Sequence, residues 1–242
     1  MKLVKVNKYF IVRYITILCI GFSLLCSSKK SVAQATKSVP VVVEIIQPAG
    51  TKFNIEPFAD MKDYTTDAVD VKQWKDRVVV YVHTANPAEL RDRIAVDHPG
   101  AKVILFEKPF YNFNRKYCNN THTAKQWDNI ILSANLVADP KLQKEYLEYH
   151  RTQFEKWPEV SKGFCNANFQ QLLVFRNGRQ LMLIISIPKG ESLDKLNPLT
   201  TKNNPRVNDW NKIMAKYQEG IPGTKKGEVW VFFKTIKDPF NR

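Results

Sequence analysis

The sequence predicts an α+β protein of the dimeric α+β-barrel type, made of two tandem ferredoxin-like units with the order β-α-β-β-α-β. Three observations predict it. Short β-branched runs alternate with helix-forming stretches in the same order twice. Asn86-Pro87 and Asp139-Pro140 each set a capping residue before a proline suited to the first helical turn. Asn177-Gly178, between two apolar runs, is a strong hairpin signal.

In the first unit, residues 41–47 form an apolar strand between Pro40 and the turn Pro48-Ala49-Gly50. Residues 55–64 are weakly helical, 68–74 form a strand, and 77–83 (RVVVYVH) form a strong one. A helix then runs to Asp97, where His98-Pro99-Gly100 stops it, and residues 102–107 make the last strand. The Asn-rich stretch 111–127 reads as a linker between an N-terminal domain, 36–110, and a second domain, 128–242.

The second unit is clearer. Residues 129–137 form a strand, and a helix over 141–162 follows, disturbed near Glu155 because Pro158 removes a donor and clashes with the preceding turn. Gly163 is expected to close it. Strands at 169–175 and 179–187 flank the hairpin, a helix runs from Pro205 to Tyr217, and residues 228–234 (EVWVFFK) end the unit. Each sheet carries helices on one face, so its other apolar face needs a cover. The two units can cover each other within one chain, or a homodimer can do so.

Residues 1–35 stand apart. Lys2, Lys5, Lys8 and Arg13 precede an apolar run from Tyr14 to Cys26, and Ala33-Gln34-Ala35 supplies small residues for cleavage. That order is a secretory signal, too short in its apolar part for a comfortable membrane span, and it places the mature chain in the periplasm or outside the cell. A lipid anchor at Cys26 is the rival, weakened by the bulky Leu25 before it. Removing the six basic residues of this segment takes the net charge from +14 to +8. The rest are interspersed with acids, which does not suit a nucleic-acid partner. Cys118 and Cys165 remain in the mature part, and spacing alone does not place them within bonding distance. No metal-ligand or nucleotide motif appears, so no cofactor is expected.

Tyr146 and His150 are four residues apart, on one helix face. A histidine can give and take a proton near neutrality, and a phenol one turn away can orient a hydroxylated ligand. Such a pair also serves simply as packing.

From Asp128 onward the chain resembles the L-rhamnose mutarotase family. The matching residues are Asp139-Pro140, Tyr146, His150, Trp157-Pro158-Glu159, Arg179-Gln180-Leu181, Trp210 with Met214, and Glu228 to Phe232. The resemblance implies one ferredoxin-like unit and a small-molecule sugar substrate. It implies His150 as general acid and Tyr146 and Trp210 as sugar contacts. Asn211 stands where the family has a second tryptophan. A further contact on the strand after the first helix falls on Gln171 by counting back from the hairpin, or on Phe169 by the local Asn-aromatic pair. Six residues separate His150 from Trp157, three more than in the family. An ungapped reading would put Gln153 and Tyr149 at the two key positions instead. The implied activity is interconversion of the α and β anomers of a deoxyhexose such as L-rhamnose. The alternatives are an exported sugar-binding protein without turnover, and an oxygenase, for which no haem or flavin pattern is present.

Overall fold

The computed structural model describes residues 37–58, 61, 65 and 69–236. The expected signal segment lies outside the described residues.

Among the described residues, ten strands form one antiparallel sheet. They are β1 (Val39–Ile46), β2 (Asp70–Trp74), β3 (Arg77–Thr84), β4 (Lys102–Phe106), β5 (Pro109–Asn114), β6 (Trp127–Leu136), β7 (Gln171–Asn177), β8 (Gln180–Pro188), β9 (Gln218–Glu219) and β10 (Val231–Thr235). Their order is β4-β1-β3-β2-β10-β6-β8-β7-β5, with β9 on β6. The order β4-β1-β3-β2 recurs as β10-β6-β8-β7, so the tandem repeat read from the sequence is present in the hydrogen-bonding pattern. The repeats meet where β2 pairs with β10, Gln73 opposite Lys234 and Lys72 opposite Thr235.

The helices depart from expectation in instructive ways. α1 (Pro87–Asp97) forms as read, with Asn86 at its N-cap. Between β1 and β2 the expected helix is represented, among the described residues, by a short 3-10 turn, Glu56–Phe58. The long helix of the second unit is three pieces: α2 (Pro140–Arg151), α3 (Gln153–Lys156) and α4 (Pro158–Asn166). It breaks first at Thr152, whose hydroxyl donates to the Glu148 carbonyl at 2.9 Å, and again at Trp157, before the proline. Gly163 does not end α4, which runs on to Asn166. A Cβ at Gly163 would lie 2.6 Å from the Thr200 carbonyl oxygen, so the glycine permits close packing rather than termination. Two further helices, α5 (Leu193–Leu196) and α6 (Pro205–Met214), complete the set.

The segment read as a linker does more than link. β5 pairs with β7 along the sheet edge, and a disulfide joins Cys118 to Cys165 on α4.

Strand alternation sorts the core into layers. Val41, Val43, Ile45, Val78, Val80 and Val82 face Leu90 and Ile94 of α1. Their neighbours Val42, Val79 and Tyr81 point the other way and meet Leu173, Phe175, Met182 and Ile184 of the second repeat. The two open sheet faces therefore cover each other within the chain. One polar set is sealed among these contacts. Glu44, fully buried, accepts from Arg77 at 2.9 Å and from Gln180 at 2.9 Å, which ties one repeat to the other. Burial pushes the Glu44 carboxyl up, and the Arg77 guanidinium opposes the shift. A buried pair of this kind specifies alignment more than it adds stability.

Candidate active site

α2 begins as its sequence requires: the Asp139 carboxylate accepts from the Lys141 backbone N–H at 2.8 Å, and Pro140 fills the first position. The helix buries the face carrying Tyr146 and His150 against the second repeat's sheet. Its outer face, with Lys141, Glu148 and Tyr149, borders a separate open groove that also includes Trp157 and Tyr217.

His150 is enclosed by aromatic rings. Ring centroids lie at 4.3 Å (Tyr146), 5.2 Å (Tyr111), 5.3 Å (Trp210) and 5.6 Å (Phe110). Its Nδ1 lies 3.0 Å from the Tyr146 carbonyl oxygen. Burial pulls the imidazole from its ordinary value of 6.5 down to about 4, and the bond to that carbonyl opposes the shift. Burial likewise pushes the Tyr146 and Tyr111 phenols above their ordinary range.

These rings border a cavity of about 340 Å³, at the small end of the range of roughly 300–1,000 Å³ usual for small-molecule sites. Tyr146, His150, Trp210 and Asn211 all line it. Trp210 is buried and Asn211 is exposed at the rim. The residues lining it include no Asp, Glu, Lys or Arg.

Gln171 is not among the residues lining this cavity. Its Oε1 accepts from the Tyr81 hydroxyl at 3.4 Å, on the sheet face turned to the first repeat. On β7, Leu172 and Val174 reach the cavity, so Gln171 and Leu173 must point away. Phe169, the other position read for this contact, is buried in the cavity wall.

The two positions of the ungapped reading, Gln153 and Tyr149, lie outside this cavity. Gln153 is fully buried, accepts from the Tyr111 hydroxyl at 2.6 Å and donates to the Trp157 carbonyl at 2.6 Å. It secures the break between α2 and α4, while Tyr149 lies on the outer groove.

Among the lining residues that no sequence signal singled out, four carry a hydrogen-bonding group. Tyr111 comes from the supposed linker, Asn197 from the segment before α6, Gln218 from β9 and Trp230 from the approach to β10. Only Trp230 left a trace, inside the Glu228 to Phe232 match. The others reach the cavity through long-range chain reversals that no local pattern announces.

A ferredoxin-like repeat with a small aromatic cavity, lined by His150 and by no charged side chain, defines the class of the site: a pocket for a small molecule. The sequence profile of the L-rhamnose mutarotase family matches residues 118–237. An L-fucose mutarotase of Xanthomonas campestris pv. campestris is 31% identical over 97 residues, covering 40% of this chain and 75% of the relative. The chain belongs to the L-rhamnose mutarotase family, whose members are carbohydrate isomerases. The first repeat lies outside the matched residues.

Two solved structures are also similar. An uncharacterized ferredoxin fold protein related to antibiotic biosynthesis monooxygenases, from Listeria monocytogenes, is 12% identical with a TM-score of 0.43, over 84% of this chain and 98% of that one. A heme-degrading enzyme from Listeria monocytogenes is 13% identical with a TM-score of 0.40, over 82% and 100% respectively.

Proposed function

We propose that the protein interconverts the α and β anomers of a deoxyhexose such as L-rhamnose, with His150 as the proton-transfer group. The observation that carries this reading is the hydrogen bond from His150 Nδ1 to the Tyr146 carbonyl. A carbonyl only accepts, so Nδ1 holds the proton and Nε2 of the neutral ring keeps its lone pair. The family resemblance implied a general acid at this position. The geometry favours a neutral base that becomes an acid only after it has taken a proton.

The reaction needs no more than that. Nε2 takes the proton of the anomeric hydroxyl as the C1–O5 bond breaks and C1=O1 forms. The imidazolium returns the proton to O5, giving the open aldehyde. Rotation about C1–C2 and the reverse steps deliver the other anomer. Positioned proton transfer of this kind contributes about 10²–10⁴-fold. An uncharged lining suits a neutral sugar, and the walls of Leu183, Ile185 and Val160 suit the methyl group of a 6-deoxy sugar. Trp210 supplies a flat apolar face for pyranose C–H groups.

We further propose that the protein is exported after loss of residues 1–35. The Cys118–Cys165 disulfide supports an oxidising compartment.

The test is exchange NMR between the anomer signals of L-rhamnose and L-fucose. Acceleration that disappears in His150→Ala is the expected result. Saturable binding without acceleration would replace the enzyme with a sugar-binding protein.

A further inference from the structure

Gln218 lies between two cavity-lining side chains. The Trp230 indole Nε1 donates to Gln218 Oε1 at 3.1 Å, and Gln218 Nε2 donates to the Tyr146 hydroxyl at 3.3 Å. An indole N–H is a donor and nothing else, so the amide oxygen must face Trp230 and the amide nitrogen must face Tyr146. The Gln218 backbone is fixed independently, by the pairing of β9 with β6 that sets Gln218 opposite Leu136. Gly220 allows the following loop to return. A Cβ there would sit 2.5 Å from the Glu228 carbonyl oxygen, just before Trp230.

The consequence falls on Tyr146. Its oxygen accepts from Gln218, and its own proton has no acceptor in the hydrogen bonds of the described residues. Burial keeps the phenol protonated through the neutral range. Of the residues lining the cavity, Tyr146 thus brings one O–H donor and the neutral His150 ring one lone pair, on Nε2. A closed sugar ring presents the opposite pair at C1, a hydroxyl proton on O1 and an acceptor oxygen O5.

We propose that Gln218 is a positioning residue of the mutarotase site, held by Trp230 so that Tyr146 serves as hydrogen-bond donor to the ring oxygen. Tyr146 stabilises O5 as it gains electron density on C1–O5 cleavage, and the proton itself travels by way of His150. Such stabilisation acts mainly in the transition state. This role rests on the mutarotase reading above, so its test includes a readout that needs no turnover.

The decisive variant is Gln218→Glu. A carboxylate can only accept, so it takes hydrogen bonds from both Trp230 and Tyr146 and withdraws the phenolic proton from the sugar. Exchange NMR should then show the saturated rate falling by about tenfold to a hundredfold, with KM changed by less than about threefold. Gln218→Met, similar in volume and without hydrogen bonds, should show a smaller loss of rate, and Gln218→Asn none of the recovery a merely space-filling role would allow. Separately, the ¹³Cζ signal of Tyr146, assigned with Tyr146→Phe, should move downfield in Gln218→Glu as the phenol becomes a donor to a carboxylate. An unmoved signal overturns the relay whether or not any sugar is turned over. Undiminished turnover in Gln218→Glu overturns it too, and leaves the mutarotase reading standing.

Discussion

The imidazole of His150 turns its Nδ1 onto the carbonyl oxygen of Tyr146, one turn earlier on the same helix, at 3.0 Å. In the neutral ring that contact fixes the tautomer and leaves the lone pair on Nε2. The titratable groups facing the ring are Tyr146 on its own helix and Tyr111 on β5. α6 brings Trp210, and Phe110 closes the set, neither of which titrates.

With the ring held near a pKa of about 4, the base form is present at neutral pH. The saturated exchange rate is therefore expected to stay level through the neutral range and to fall as pH drops through about 4. A histidine working from its charged form would show the reverse, a gain on acidification. Anomer exchange measured against pH, with the buffer-catalysed rate subtracted, distinguishes the two.

The same burial affects folding. The unfolded chain takes up a proton on this imidazole below its ordinary value of 6.5, while the folded chain refuses one until about 4. The associated stability is whole above 6.5 and is lost as pH falls between those values, a change on the order of 3 kcal/mol. Urea unfolding of His150→Phe across that window should show a shallower loss than the parent.

Asn211 lies at the cavity rim and Gln171 on the opposite sheet face. Asn211→Ala should raise KM by about three- to tenfold with little change in kcat, as expected when an equal ground-state and transition-state contact is lost. Gln171→Ala should leave both unchanged. Steady-state rates from exchange spectra check the pair.

The disulfide closes a loop with a sequence separation of 47 residues and ties the segment after β5 to α4. Loop-closure entropy sets its contribution at about 4 kcal/mol as an upper figure. Reduction, or the Cys118→Ala/Cys165→Ala pair, should lower the urea midpoint accordingly, and differential scanning calorimetry should register the drop in Tm.

Gly163→Ala forces a methyl group to within 2.6 Å of the Thr200 carbonyl. A loss of about 1–3 kcal/mol is expected, although alanine is the better helix former. Chemical denaturation measures it directly.

Much of the fold was legible because its signals are local. β-branched runs, Asp139-Pro140 and Asn177-Gly178 act over a few residues, and the repeat of their order gave the tandem architecture. Helical spacing puts Tyr146 and His150 on one face of α2, and only the family resemblance pointed to Trp210 on α6; all three line the cavity. The segment holding β5 reads as a linker because its polar asparagines outweigh Phe110, Tyr111 and Phe113, whose burial depends on a partner strand more than fifty residues later.

By itself, the sequence determined the alternation of strands and helices, the caps, and the pairing of a phenol with an imidazole on one helix face. Each follows from backbone preferences and side-chain period, which neighbours in the chain are enough to establish. Only tertiary structure decided which face of β7 meets the cavity, that Gln153 is a structural anchor, and that Gln218 stands between Trp230 and Tyr146. It also decided that His150 is buried among aromatic rings with its Nδ1 on the Tyr146 carbonyl. Burial, tautomer and hydrogen-bond direction depend on groups brought together from distant parts of the chain, and those are physical quantities that exist only once it has closed on itself.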